Sequence, residues 1–127
     1  MYYKTLVIGA STNPSRFSYL AIKKLVAHKI DVVAIGNREG DVNGVQITQT
    51  RPLLNDIHTV TMYLNPKNQA DFIDYILSLK PKRIIFNPGS ENADLLKPAR
   101  ALGIEVIFDC TLVMLNNGSY FSDGKPY

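Results

Sequence analysis

The stretch Leu6-Val7-Ile8-Gly9-Ala10-Ser11-Thr12-Asn13-Pro14-Ser15-Arg16 decides how this chain is read. A short apolar run ends in glycine. Small hydroxyl residues, a proline and an arginine follow, and a helical pattern comes next. That order describes a strand, a tight turn and a helix N-terminus. Unpaired backbone N–H groups and the helix dipole at such a turn favour an anion, phosphate above all. The loop therefore predicts a phosphate-bearing ligand.

The same alternation repeats downstream. Apolar, β-branched runs at 5–8, 31–35, 59–64, 83–86 and 104–108 read as strands. Helical spacing marks 18–28, 69–79 and 91–102, the second stopping before Pro81. Residues 45–48 alternate and form a short excursion. Short strands that are apolar on both faces and separated by helices indicate a parallel sheet covered on both sides. The expectation is one α/β domain over 1–127, a doubly wound Rossmann-like fold with about five parallel strands. The polar and aromatic tail, 116–127, breaks the pattern. It reads as a loose end, as a hairpin around Asn117-Gly118, or as part of an interface.

Composition sets outer limits. An apolar fraction of 46% and a charged fraction of 20% over 127 residues suit a globule with a real core. No apolar run approaches the roughly 20 residues that span a bilayer. The start, Met1-Tyr2-Tyr3-Lys4, lacks a signal-peptide pattern, and a single cysteine, Cys110, fits a reducing cytoplasm. The net charge of +3 is scattered. Its densest group, Lys80, Lys82 and Arg83, reads as solvated surface and not as a nucleic-acid footprint. Neither nucleic acid nor membrane is an expected partner.

Ligands of open α/β sheets bind beyond the carboxyl ends of the strands. The loops that matter are then 9–16, 36–40, 65–67, 87–92 and 109–111. The first is neither the G-x-G-x-x-G fingerprint nor a P-loop. Ser11 and Pro14 stand where glycines belong, and no Gly-Lys-Ser/Thr follows. The second loop discriminates better. NAD-binding domains place an acidic residue after the second strand, for the ribose hydroxyls. Asn37 and Arg38 stand here instead, and a guanidinium suits a phosphorylated ribose. NADP and coenzyme A both carry such a phosphate. A surface pairing of Arg38 with Glu39 or Asp41 is the plain alternative.

Four motifs, in order, carry a family resemblance. They are Val7-Ile8-Gly9-Ala10-Ser11 with Pro14 and Arg16; Gly36-Asn37 followed by Val42-Asn43-Gly44-Val45; Asn87-Pro88-Gly89-Ser90-Glu91-Asn92; and Gly103-Ile104-Glu105-Val106-Ile107 leading to Asp109-Cys110. Over roughly 4–115 the chain resembles the small CoA-binding domain proteins, whose fold is similar to the CoA-binding domain of the succinyl-CoA synthetase α subunit. The resemblance implies that Gly9, Ala10, Ser11, Thr12 and Arg16 hold the pyrophosphate side of CoA. It implies that Asn37 and Arg38 lie near the ribose 3′-phosphate, that Asn65 and Pro66 line the adenine edge, and that Asn87, Pro88 and Gly89 approach the pantetheine arm. Two features depart from the family pattern. The second loop reads Gly-Asn-Arg-Glu instead of an Asn-Pro turn, and Asp109 and Cys110 are adjacent.

No catalytic constellation accompanies these loops. The synthetase's phosphohistidine domain has no counterpart here. His28 ends a helix, and His58 precedes a strand on the side away from the expected site. No cluster has metal-ligand spacing. Cys110 reads as a small buried residue, and Ser90 and Glu91 as a helix start. The expected protein is a small cytoplasmic binder of CoA or acyl-CoA, non-catalytic by itself. An NADP-binding oxidoreductase-like protein or nucleotide sensor is the alternative. A third reading is an interaction protein, with Tyr120, Phe121 and Tyr127 as its surface. A homo-oligomer or a partner protein stays open.

Overall fold

Strands without a polar face form where helices cover both sides of a sheet. The computed structural model, which describes residues 3–121, has this architecture. Strand β1 (Thr5–Ile8) leads into α1 (Phe17–Ala27), and β2 (Val32–Ile35) follows. A hairpin of β3 (Gly40–Val42) and β4 (Val45–Thr48) turns on Asn43 and Gly44, with φ of 50° and 86°. Such angles at an Asn-Gly pair belong to the tight turn that matches strand twist. After β5 (Thr59–Met62) come α2 (Pro66–Gln69), a 3-10 turn (Ala70–Phe72) and α3 (Ile73–Leu79). Then β6 (Arg83–Phe86), α4 (Ala93–Ala101), β7 (Glu105–Phe108) and α5 (Thr111–Asn117) follow, with a last 3-10 turn at Ser119–Phe121. Among the described residues no helix is long and apolar enough to cross a membrane.

The seven strands lie in the order β3-β4-β2-β1-β5-β6-β7. Every pairing is parallel except β3 with β4. The chain winds outward from β1 through β2, then returns to start β5 on the other side of β1. The switch point therefore lies between the carboxyl ends of β1 and β5.

Alternation along the central strands builds two cores. Leu6, Ile8, Val60, Met62, Ile84 and Phe86 point to the face covered by α3 and α4, where Ile76, Leu95 and Ala99 meet them. Val7, Ala34, Ile47 and Ile85 point to the other face, against Ile22 and Leu25 of α1 and Met114 and Leu115 of α5.

Four expectations change. The sheet exceeds five parallel strands because the 40–48 segment joins it. Ala34 and Ile35 pair in parallel with Ile47 and Thr48, so β4 is a sixth parallel strand, and β3 adds an antiparallel edge. No hairpin forms at Asn117-Gly118. Asn117 ends α5, and Gly118 at φ 84° is its left-handed cap. Tyr120 is fully buried there and presents no surface, while Tyr127 lies outside the described residues. Arg83 is not solvated surface either; it is 1% exposed.

The burial of Arg83 follows from register. Thr5, Thr59 and Arg83 are neighbours in one row across β1, β5 and β6, all facing α5. The guanidinium donates from Nε to Thr59 Oγ1 at 2.7 Å and from Nη2 to the Tyr120 carbonyl at 2.7 Å. The Tyr120 ring lies 4.4 Å from it, and its hydroxyl bonds Thr5 Oγ1. A charge taken out of water needs such partners, because desolvation costs several kcal/mol. Arg83→Met keeps the bulk but leaves the Tyr120 carbonyl without this donor. It is expected to lower stability by about 2–4 kcal/mol in urea unfolding; an unchanged midpoint would count against the row.

Candidate functional site

All twelve sequence-predicted site residues lie at the carboxyl end of the sheet, on the loops after β1, β2, β5 and β6. The β1 loop is held from beneath. The Gly9 and Ala10 N–H groups both donate to the Ile35 carbonyl at 3.0 Å. Gly9 has φ 93°, and a Cβ there would sit 3.1 Å from Tyr63. A Cβ on Gly36 would sit 2.3 Å from the Ala10 carbonyl oxygen, and one on Gly40 would meet the Thr12 methyl at 2.5 Å. The loops after β1 and β2 thus approach too closely for any side chain at positions 36 and 40.

Within the β1 loop, Asn13 organises the turn. Its Oδ1 accepts from the Ser15 N–H and hydroxyl, its carbonyl accepts from the Arg16 N–H, and its own N–H donates to Ser11 Oγ. Arg16 then stands at the N-cap of α1 in extended conformation, and no side chain caps the helix. By contrast, Asn65 Oδ1 caps α2 through the Asn68 N–H, and Asn92 caps α4. An uncapped first turn in an eleven-residue helix leaves backbone donors and the positive end of the dipole open. No carboxylate occurs among residues 9–16. This donor set fits a polyanion.

Asn37 and Arg38 are exposed on the β2 loop, where Gln49 Nε2 donates to the Asn37 carbonyl. The alternative pairing of Arg38 with Asp41 does not form; the Asp41 carboxylate accepts from the Gly44 N–H at 3.0 Å. Asn65 and Pro66 are exposed beside the switch point, as the N-cap and first residue of α2. Pro88 and Gly89 are exposed beyond β6, with Gly89 at φ 93°.

Asn87 differs from the rest. It is buried, its Nδ2 donates to Thr61 Oγ1 and the Met62 carbonyl, and its Oδ1 accepts from the Thr111 N–H. Both amide donors are therefore committed to protein atoms, and the side chain braces β5, β6 and α5 together. A second strut escaped sequence reasoning. Gln69, fully buried, donates to the Leu64 and Ser90 carbonyls and accepts from Asn92, clamping the loops after β5 and β6. The alternating threonines of β5 are the one signal that was available for this polar interior.

Tyr63 completes the switch point. Its hydroxyl is, among the described residues, the one buried side-chain polar atom without a partner; those of Thr61 and Thr111 lie near but make no well-formed bond. Cys110 is half-buried, with its N–H held locally by Asp109 at 2.7 Å. His58 is buried at the opposite end of the sheet, bonded to Thr59. The described residues hold no group of three His, Cys, Asp or Glu that could bind a metal.

Two measurements check this geometry. Gly36→Ala forces a methyl into the Ala10 carbonyl and is expected to cost about 1–3 kcal/mol, disturbing the β1 loop first; hydrogen exchange of residues 9–16 reports it. Burial raises the Tyr63, Tyr75 and Tyr120 phenols above the usual 10.0. The unfolded chain then loses protons before the folded one. The stability these groups contribute is whole below pH 10 and falls as pH rises beyond it. Tyr120→Phe is expected to flatten that alkaline loss in unfolding curves.

Comparison with known proteins agrees with the fold and names the family. Residues 3–116 match a family described as a CoA binding domain. A solved structure described as an uncharacterized protein is 44% identical, with a TM-score of 0.90 over 94% of this chain and 98% of its own. A hypothetical protein from Pyrococcus horikoshii OT3 is 21% identical, with a TM-score of 0.82 over 91% of this chain and 83% of its own. An aspartate dehydrogenase from Thermotoga maritima is 14% identical, with a TM-score of 0.57 over 86% of this chain and 46% of its own, a likeness of fold alone. No curated protein matches the chain. With nearly all of the described residues inside the family match, the chain belongs to the CoA binding domain family.

Proposed function

We propose that this protein is a small cytoplasmic binder of coenzyme A or acyl-CoA, without catalysis of its own. The observation that carries the reading is the uncapped first turn of α1, with Arg16 at its N-cap and no carboxylate in the loop. Backbone donors of Ser11 and Thr12, the open first turn of α1 and Arg16 receive the pyrophosphate, while Gly9 and Ala10, whose N–H groups are held by the Ile35 carbonyl, shape the loop beneath it. Arg38, free of Asp41, receives the ribose 3′-phosphate, with Asn37 beside it. Asn65 and Pro66 border the adenine. Pro88 and Gly89 flank the pantetheine arm, and Asn87 acts from below as the brace that fixes their position.

Binding without chemistry is supported by what the side chains near the cleft already do. Asp109 is turned onto its own loop, Ser90 donates to the Asn87 carbonyl, and Glu91 accepts from the Gly89 N–H. None of these is arranged as a nucleophile with a base. NADP remains the rival ligand because its ribose also carries a phosphate.

Isothermal titration with CoA, dephospho-CoA and NADPH separates these readings. CoA is expected to bind about tenfold tighter than dephospho-CoA, and Arg38→Ala to erase that difference, as loss of a charge-assisted contact implies. Equal affinity for the two in the unaltered protein removes the role of Arg38. Tighter NADPH moves the assignment to NADP, and binding of none of them ends the reading.

A further inference from the structure

Helix α1 buries Ala21, Ile22 and Leu25 against the sheet. A surface helix with one such face is expected to be polar on the other. Instead its outward side carries Phe17, 67% exposed, and Leu20, 40% exposed. On the neighbouring α5, Val113 is 49% exposed. Between the two helices runs a groove of about 390 Å³, lined by Leu20, Lys23, Lys24, Ala27, Leu112 and Asn116. That volume falls within the range of small-molecule sites.

Position and charge say what suits it. Both helices start at the carboxyl end of the sheet, so the groove begins where the ligand cleft ends. Leu20 is one turn below Phe17, the first residue of α1, and Leu112 is two residues beyond Cys110, the N-cap of α5. Neither helix contains an Asp or Glu, while Lys23 and Lys24 line the groove. An apolar floor with a cationic rim and no carboxylate complements an anionic amphiphile. A CoA thioester of a fatty acid is such a molecule, with a polyanionic head and an apolar tail.

We propose that the α1/α5 groove receives the acyl chain, so that the ligand is a medium-chain acyl-CoA. This rests on the CoA reading above. The chain leaves the thiol end of the ligand near Cys110, covers Leu112 and Leu20, and runs down toward Ala27. Leu20 and Leu112 then act as specificity-determining residues, and Lys23 and Lys24 cover the chain with their alkyl stems.

Calorimetry with CoA and its acetyl, butyryl, hexanoyl and octanoyl thioesters tests this on the whole chain. Full burial of a methylene strengthens binding about fourfold, and an open groove that covers half of it gives about twofold. Affinity is therefore expected to rise on the order of fiftyfold from acetyl to octanoyl. Leu20→Asn, which adds no charge near the phosphate site, is expected to abolish the rise, every thioester then binding with the affinity of CoA for the same variant. If CoA binds but chain length has no effect, or if the rise survives Leu20→Asn, the groove assignment is overturned while the CoA reading stands. If no thioester and no CoA binds, the CoA reading itself fails. Octanoate binding as tightly as octanoyl-CoA makes the groove a fatty-acid site and overturns the proposal. So does Leu20-dependent sedimentation with phosphatidylglycerol vesicles in the absence of a chain-length effect, which assigns the face to a membrane surface.

Discussion

The buried guanidinium of Arg83 is the constraint on which the arrangement of the α5 face depends. Its charge is compensated by the Thr59 hydroxyl, the Tyr120 carbonyl and the face of the Tyr120 ring. These partners come from two distant parts of the chain, β5 and the turn after α5, and each is held in turn. Thr59 sits in register beside Thr5, and the Tyr120 hydroxyl closes on Thr5. Such a row costs desolvation and is expensive to leave half made. The 3-10 turn at Ser119–Phe121 is thereby fixed against the amino ends of three strands. Because that turn follows directly on α5, the lower end of the helix is fixed with it. The upper end is fixed by the Asn87 bond to the Thr111 N–H and by the Thr61–Thr111 hydroxyl pair. A seven-residue helix is too short to hold itself in water; anchors at both ends explain why it can wall a cleft.

Polar groups divide cleanly between frame and cleft. Asn87, Gln69, Asn92 and Ser90 are buried, and they bond backbone and side chains of adjacent loops. Arg16, Arg38, Asn37 and Asn65 are exposed at the rim. The frame residues would resemble ligand contacts in any reading by residue type, since amides and hydroxyls serve both purposes. Geometry separates them. A side chain with its donors committed to protein cannot also grip a ligand, but it can hold the loop that does. Asn87 belongs with the braces for that reason, and Pro88 and Gly89 remain as the exposed part of the same motif.

The α/β alternation was legible because each central strand is a short run of apolar residues bounded by glycine, proline or asparagine. Residues 5–8 and 83–86 were placed as strands to the residue, whereas 45–48, read as a short excursion, is a strand of the sheet. The rest depended on contacts between residues distant in sequence. Arg83 beside Lys80 and Lys82 looks like surface charge until register sets it against Thr59 and Tyr120. Residues 111–121 looked like loop and tail because α5 is brief and its anchors lie in β1, β5 and β6. Gln69 opened an expected helix, whereas the 3-10 turn after it places it inside. The uncapped state of α1 was also invisible, since Ser11, Asn13 and Ser15 are all capping types. Asn13 turns to its own loop instead.

Close approach of backbone to backbone then explains why the loops after β1 and β2 form one unit. Gly36 lies against the Ala10 carbonyl, and Gly40 against Thr12, so neither loop can shift without the other. Gly9, pressed against Tyr63, ties the pair to the loop after β5. A ligand arriving at this edge meets backbone donors already in place. Under the proposed CoA reading, the ordering left to impose falls on the side chains of Arg16 and Arg38, about 0.5–1.5 kcal/mol for each. Three glycines and an asparagine turn thus shape the edge where other Rossmann-like domains carry a glycine-rich fingerprint. They do so by fixing where the loops touch and not by lining the ligand with glycine, and for this reason the β1 loop can carry Ser11, Pro14 and Arg16 at positions where the fingerprint has none of them.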